Sequence, residues 1–161
     1  MSSQIATTAV RGRFLDIQHT VAQAHEIDDQ VRYVEDGLII MQDGKIQWFG
    51  SWDEGQKHLA ENIQVAHYPE QLIVPGLIDT HIHFPQTEMV GAYGEQLLEW
   101  LNTYTFPTEI QFADTAYSEK IAEFFVQELL KNGTPTALVF CTVHPESVDA
   151  LFTAASRRNM R

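Results

Sequence analysis

The sequence predicts an α/β fold in two parts: a β-rich stretch over residues 1–74, then strands alternating with helices over 75–161. Three observations carry this reading. Asp43-Gly44 sits between two strand-like runs, Gly37–Gln42 and Lys45–Gly50, and both turn positions of such a hairpin favour positive φ. After Pro75-Gly76 the order becomes strand, helix, strand, helix, which implies a parallel sheet with crossover helices. Ile121, Phe125 and Leu129 recur every four residues, with Ala122, Val126 and Leu130 beside them, giving one broad helical stripe.

In the first part, Arg13-Phe14-Leu15-Asp16-Ile17 alternates as a short strand. The hairpin follows, then a loop or short helix from Asp53 to Asn62 and a further short strand over 63–68. In the second part, Leu77-Ile78-Asp79-Thr80-His81-Ile82-His83 reads as a strand ended by Pro85, which cannot continue a ladder. Leu97, Leu98, Trp100 and Leu101 make 95–103 a helix. The striped helix runs from about Ala116 to Lys131, with Gly133 as its stop. Residues 136–143 are a nearly continuous apolar run, as expected of a strand buried on both faces. The last helix begins at Pro145, with Glu146 in its first turn and Arg157 and Arg158 in its last, a charge order that suits the helix dipole.

Two such units cannot close a barrel. An eight-unit barrel takes about 250 residues, so the natural protein is expected to be longer than the 161 residues present, or the chain to be a cleaved or incompletely represented one.

Composition narrows the partners. Apolar residues make up 44% of the chain, enough for a packed core. The net charge of −12 repels phosphate backbones and anionic lipid, so neither nucleic acid nor membrane is expected as a partner. Met1 to Arg13 lacks the apolar core of a signal peptide, and no stretch is long enough to span a bilayer; the expected location is cytoplasmic. A single cysteine, Cys141, in the apolar run 137–141, is read as a packing residue.

The chemistry concentrates at His81-Ile82-His83. Alternate side chains of a strand share a face, so the two imidazoles project together at the strand's C-terminal end, where barrel enzymes build their sites. A pair so placed can share one metal ion, although an isolated H-x-H also arises by chance. A catalytic zinc takes three protein ligands and a water, so two histidines leave the site incomplete. Asp79 is expected on the same face, either orienting an imidazole or acting as a structural carboxylate. His19, His25, His58 and His67 have no paired spacing and are read as surface or structural. His144 is read as a helix cap or pocket wall.

Val74-Pro75-Gly76-Leu77-Ile78-Asp79-Thr80-His81-Ile82-His83 resembles the amidohydrolase superfamily. Phe84-Pro85-Gln86 and the block Leu97-Leu98-Glu99-Trp100-Leu101-Asn102-Thr103-Tyr104-Thr105-Phe106-Pro107-Thr108-Glu109 resemble its guanine deaminase branch. The resemblance implies the start of a metal-dependent (β/α)8 TIM-like barrel, its first two βα units, preceded by part of a small β-sandwich domain. It implies Zn2+ as cofactor, held in part by His81 and His83, and a guanine pocket lined by His83, Phe84, Pro85 and Gln86. Trp100 would wall that pocket or anchor its helix. The implied reaction is hydrolytic deamination of guanine to xanthine and ammonia, in a homodimer. The further ligands, proton shuttle and base-holding arginine have no counterpart here, so the isolated chain is expected to be inactive. The alternatives are an amidohydrolase acting on another heterocycle, and a non-catalytic assembly module.

Overall fold

The computed structural model describes residues 7–20, 22–94 and 96–161; Glu95, expected to open a helix, and 1–6, within the stretch read for a signal peptide, lie outside them. The chain forms two compact units that divide between Pro75 and Gly76.

The first unit is a four-stranded mixed sheet of order β3-β2-β1-β4, with β1 (Thr7–Ile17), β2 (Val31–Gln42), β3 (Lys45–Ser51) and β4 (Val65–Ile73). β1 pairs antiparallel to β2 (Ala9↔Ile40) and parallel to β4 (Ala9↔Val65). The β2–β3 turn has φ of 51° at Asp43 and 71° at Gly44, the left-handed pair the hairpin requires. Three strands clearly outrun their expected lengths: β1 begins at Thr7, β2 begins at Val31 and β4 continues to Ile73. β4 does so despite Pro69, because the register jumps from Gly12↔Tyr68 to Arg13↔Leu72 and leaves Pro69 unpaired, where its missing N–H costs no ladder bond.

Ala9, Leu38 and Ile40 form the buried centre of this sheet, covered by Trp48, Trp52, Leu59 and Ile63. The short helix α1 (Trp52–Gly55) and the 3-10 turn Gln56–His58 occupy the connection expected to be loop or helix. Across the β1–β2 ladder, Arg32 donates to Asp16 in a two-pronged pair, Nε to Oδ1 at 2.9 Å, and Arg11 makes the same arrangement with Asp36 at 2.7 Å.

The second unit holds the parallel pair β5 (Ile78–His83) and β6 (Thr136–Phe140). α4 (Thr115–Lys131) provides the crossover between them, and α5 (Pro145–Ser156) follows β6. α4 starts where Asp114 accepts the Tyr117 N–H at 2.7 Å, satisfying one of the free donors of the first turn. It stops at Gly133 (φ 77°): the Gly133 N–H reaches the Leu130 carbonyl and the Thr134 N–H the Leu129 carbonyl, closing two of the last free acceptors.

The stripe expected on α4 is buried through Ile121, Ala122, Phe125 and Val126, which pack with Phe84, Phe112, Ala150, Leu151 and Ala154. Ile82 and Val139 lay the helix-facing side of the sheet against this cluster. Cys141 also packs there, and burial pushes its thiol above the ordinary range, as suits a packing cysteine.

Three expectations are revised. The helix over 95–103 runs further: α2 (Leu97–Trp100) passes into a wide π turn over Leu101–Thr105, then α3 (Phe106–Glu109) and a 3-10 turn to Ala113. The widening puts the Phe106 N–H on the Leu101 carbonyl, so the path continues past Pro107, which has no N–H of its own to place. The strand over 136–143 ends at Phe140, and only its helix-facing side is covered: Leu138 is 58% exposed. α5 ends at Ser156, before the two arginines; both guanidinium groups reach instead to Glu123 on α4.

Beyond α5, the Arg161 N–H donates to the Pro135 carbonyl at 3.0 Å, and its carbonyl accepts from Ala137 at 2.8 Å. Those two bonds bracket Thr136 in the pattern of a parallel bridge on the free edge of β6.

Candidate functional site

Strand β5 delivers His81 and His83 together, as alternation requires. Their Nε2 atoms lie 3.2 Å apart. Two nitrogens bound to one tetrahedral ion at 2.0–2.1 Å stand about 3.3 Å apart, so this spacing fits a shared metal ion. Among the described residues no group of three or more His, Cys, Asp or Glu side chains converges on a metal position. Two imidazoles alone fall short of the three protein ligands that a catalytic zinc takes.

The backbone under the pair is fixed locally. β5 carries one residue more than β6 between Asp79↔Ala137 and Ile82↔Val139. At this bulge the Asp79 carboxylate accepts the His81 backbone N–H at 2.9 Å. Asp79 thus acts on the main chain, not on an imidazole. The extra residue breaks the alternation that would have set it on the histidines' face, and pairs it with the helix-facing row of Ala137 and Val139.

Phe140, paired with His83 across the sheet, touches both rings. Its centroid is 4.9 Å from that of His83, with planes only 15° apart, and 4.7 Å from that of His81. Sequence reasoning missed this residue. The signal was its place at the end of the strand neighbouring the histidines, but the register that aligns it with His83 depends on the bulge.

A cavity of about 680 Å³ opens beside the pair, lined by His81, His83, Gln86, Met89 and Trp100 among others. The Gln86 amide nitrogen lies 3.4 Å from His83 Nδ1, and the Trp100 indole N–H donates to the Ala92 carbonyl at 2.9 Å. Trp100 therefore both walls the cavity and ties its helix to the preceding loop. Phe84 and Pro85 are fully buried instead. Phe84 meets Phe112 edge-on at 5.0 Å and lies 5.5 Å from Phe125, inside the helical core. Of the segment 83–86, His83 and Gln86 reach the cavity, while Phe84 and Pro85 anchor the turn that carries them. Thr87 pins that turn by donating to the Phe84 carbonyl at 2.6 Å.

His19, His25, His58 and His67 are exposed on the first unit, His58 stacked on Trp48 at 5.4 Å. His144 occupies the N-cap position of α5 without a side-chain cap bond; the Ser147 hydroxyl donates to its carbonyl at 2.8 Å.

The chain is 55% identical to the guanine deaminase of Escherichia coli K12 over 161 residues, all of this chain and 37% of that protein. It superimposes on the solved E. coli guanine deaminase with a TM-score of 0.91 at 56% identity, covering 96% of this chain and 36% of that one. It also matches a guanine deaminase from C. acetobutylicum, solved with guanine in its active site, with a TM-score of 0.76 at 27% identity over 96% of this chain and 35% of the other. The chain spans about a third of the length of the relatives it matches. The profile of the amidohydrolase family matches residues 72–161, the segment that holds β5, the paired imidazoles and the cavity beside them, and the chain belongs to that family.

Proposed function

We propose that the protein containing this chain is a zinc-dependent guanine deaminase, which adds water at C2 of guanine and releases ammonia to give xanthine. The observation that carries the reading is the imidazole pair, Nε2 atoms 3.2 Å apart, facing a cavity in a chain 55% identical along its whole length to a guanine deaminase. The relative solved with guanine in its active site supports the choice of substrate.

His81 and His83 would hold the ion through Nε2. When bound, zinc would act as a Lewis acid that brings the pKa of a water towards neutrality. Gln86 offers both an amide donor and an acceptor to a purine edge from the cavity wall. Trp100 closes one side of the cavity and keeps bulk water from the base. Further ligands and the group that carries the proton to the leaving amine come from outside these 161 residues in this reading.

The same reading makes the second unit the first two βα units of a (β/α)8 barrel, residues 75–161, and the first, residues 1–74, part of a small β-sandwich. The parallel bridge of Arg161 on the edge of β6 supports continued growth of the sheet. A cytoplasmic homodimer completes the proposal.

Side-by-side assays of the full-length protein with guanine, adenine, cytosine and a triazine test it. Turnover confined to guanine, lost together with zinc in His81→Ala and His83→Ala, is the expected result. A protein that binds zinc and leaves guanine untouched overturns the substrate, and stoichiometric zinc after both replacements overturns the site.

A further inference from the structure

We propose that Phe140 is a positioning residue for the metal-binding pair: it fixes the ring planes of His81 and His83. The inference rests on the reading of those histidines as ligands and goes beyond it, since no ligand role touches β6.

An imidazole on a strand has free rotation about its terminal bond unless something holds the ring. Ligand rings are usually held by a hydrogen bond at the nitrogen that does not bind metal. His81 has no such side-chain partner among the described residues; the rings beside it are His83 and Phe140. The Phe140 ring lies nearly parallel to His83 (15°) and at 39° to His81, with centroids at 4.9 and 4.7 Å. One rigid aromatic face thus restricts both imidazoles at once, keeping the two Nε2 atoms converged before any ion arrives. The parallel register His83↔Phe140 delivers that face from the neighbouring strand. Leu138, two residues earlier on β6, is exposed and carries no ring, so it serves as an internal control.

The test compares zinc release to a chelator from the full-length protein and from three variants: Phe140→Met, which keeps volume but removes the ring face, Phe140→Tyr, which keeps the ring, and Leu138→Ala. Expected are release about tenfold faster from Phe140→Met and near-native release from the other two. Phe140→Met loaded with cobalt should also show altered visible bands, reporting a changed ligand field that strand loosening elsewhere does not produce. If Phe140→Met does not fold, Phe140→Leu takes its place. Native release from Phe140→Met, or release from Leu138→Ala as fast as from Phe140→Met, overturns the positioning role. A wild-type protein that holds no zinc overturns the ligand reading, and this one with it.

Discussion

The Asp79 carboxylate accepts the His81 backbone N–H at 2.9 Å, across the point where β5 carries one residue more than β6. The bond fixes the main chain immediately under an imidazole. Asp79→Ala should cost about 1.5–3 kcal/mol, the range for a hydrogen bond to a charged group, and Asp79→Asn clearly less because an acceptor oxygen remains. Urea unfolding of the three proteins measures this. Equal losses for the two replacements would mean that the bond contributes nothing.

Gly133 holds φ at 77° while its own N–H and that of Thr134 close the end of α4. Gly133→Ala should destabilise by about 1–2 kcal/mol, since a Cβ is penalised in the left-handed region although the space around this position is open. A thermal melt unchanged by the substitution would show that the chain relaxes out of the motif.

Asp114 caps the other end of the same helix through the Tyr117 N–H. Asp114→Ala should lower stability by about 1 kcal/mol, and Asp114→Ser should recover most of it. Failure of serine to rescue would assign the loss to charge instead of capping.

The pairs Asp16–Arg32 and Asp36–Arg11 give the first unit a defined acid response. The guanidinium of Arg32 holds the Asp16 carboxyl below the ordinary aspartate range, chiefly by hydrogen bonding, and Arg11 does the same for Asp36. A carboxyl lowered in the folded state binds fewer protons there than when unfolded. Its stabilisation is full above the unfolded pKa and is lost as pH falls through the folded value. Stability should therefore be level above about pH 5 and decline below about pH 4. In Asp16→Asn the decline should be shallower, as read from urea midpoints along a pH series. An unchanged slope would assign the acid sensitivity to other carboxylates.

The 161-residue chain alone should neither turn over guanine nor retain stoichiometric zinc through dialysis against a chelator, because two imidazoles fall short of the three protein ligands that a catalytic zinc takes. Metal analysis and a xanthine assay on the purified chain check both. Deamination by this chain alone would require a site built differently from the one described.

Local chemistry made much of this legible. Asp43-Gly44 announced its turn because few residue pairs accept two positive φ angles, and α4 announced itself through its four-residue stripe. His81 and His83 were paired correctly because two residues apart on one strand is a short enough distance for alternation to survive. Alternation failed between Asp79 and His81, where the bulge depends on pairing with β6, more than fifty residues later in the chain. Phe140 was invisible for the same reason: its partner is set by that register. Phe84 was grouped with the cavity by its neighbours in sequence, whereas the 3-10 turn over Phe84–Met89 rotates successive side chains between core and cavity. Leu138 reads as a core residue by its apolarity, but burial is decided by what packs on its side of the sheet.

The bridge between Arg161 and the edge of β6 also bears on biosynthesis. In the proposed barrel each parallel strand would dock on the edge left by the one before it, its crossover helix spanning only a short length of chain. Docking then follows the order in which segments leave the ribosome, with modest loop-closure entropy at each step. The nascent intermediate carries the hazard of that order. While the side of β6 bearing Leu138 and Phe140 is open to water it is also open to other nascent chains, so the interval between docking steps is when a holding chaperone would matter most.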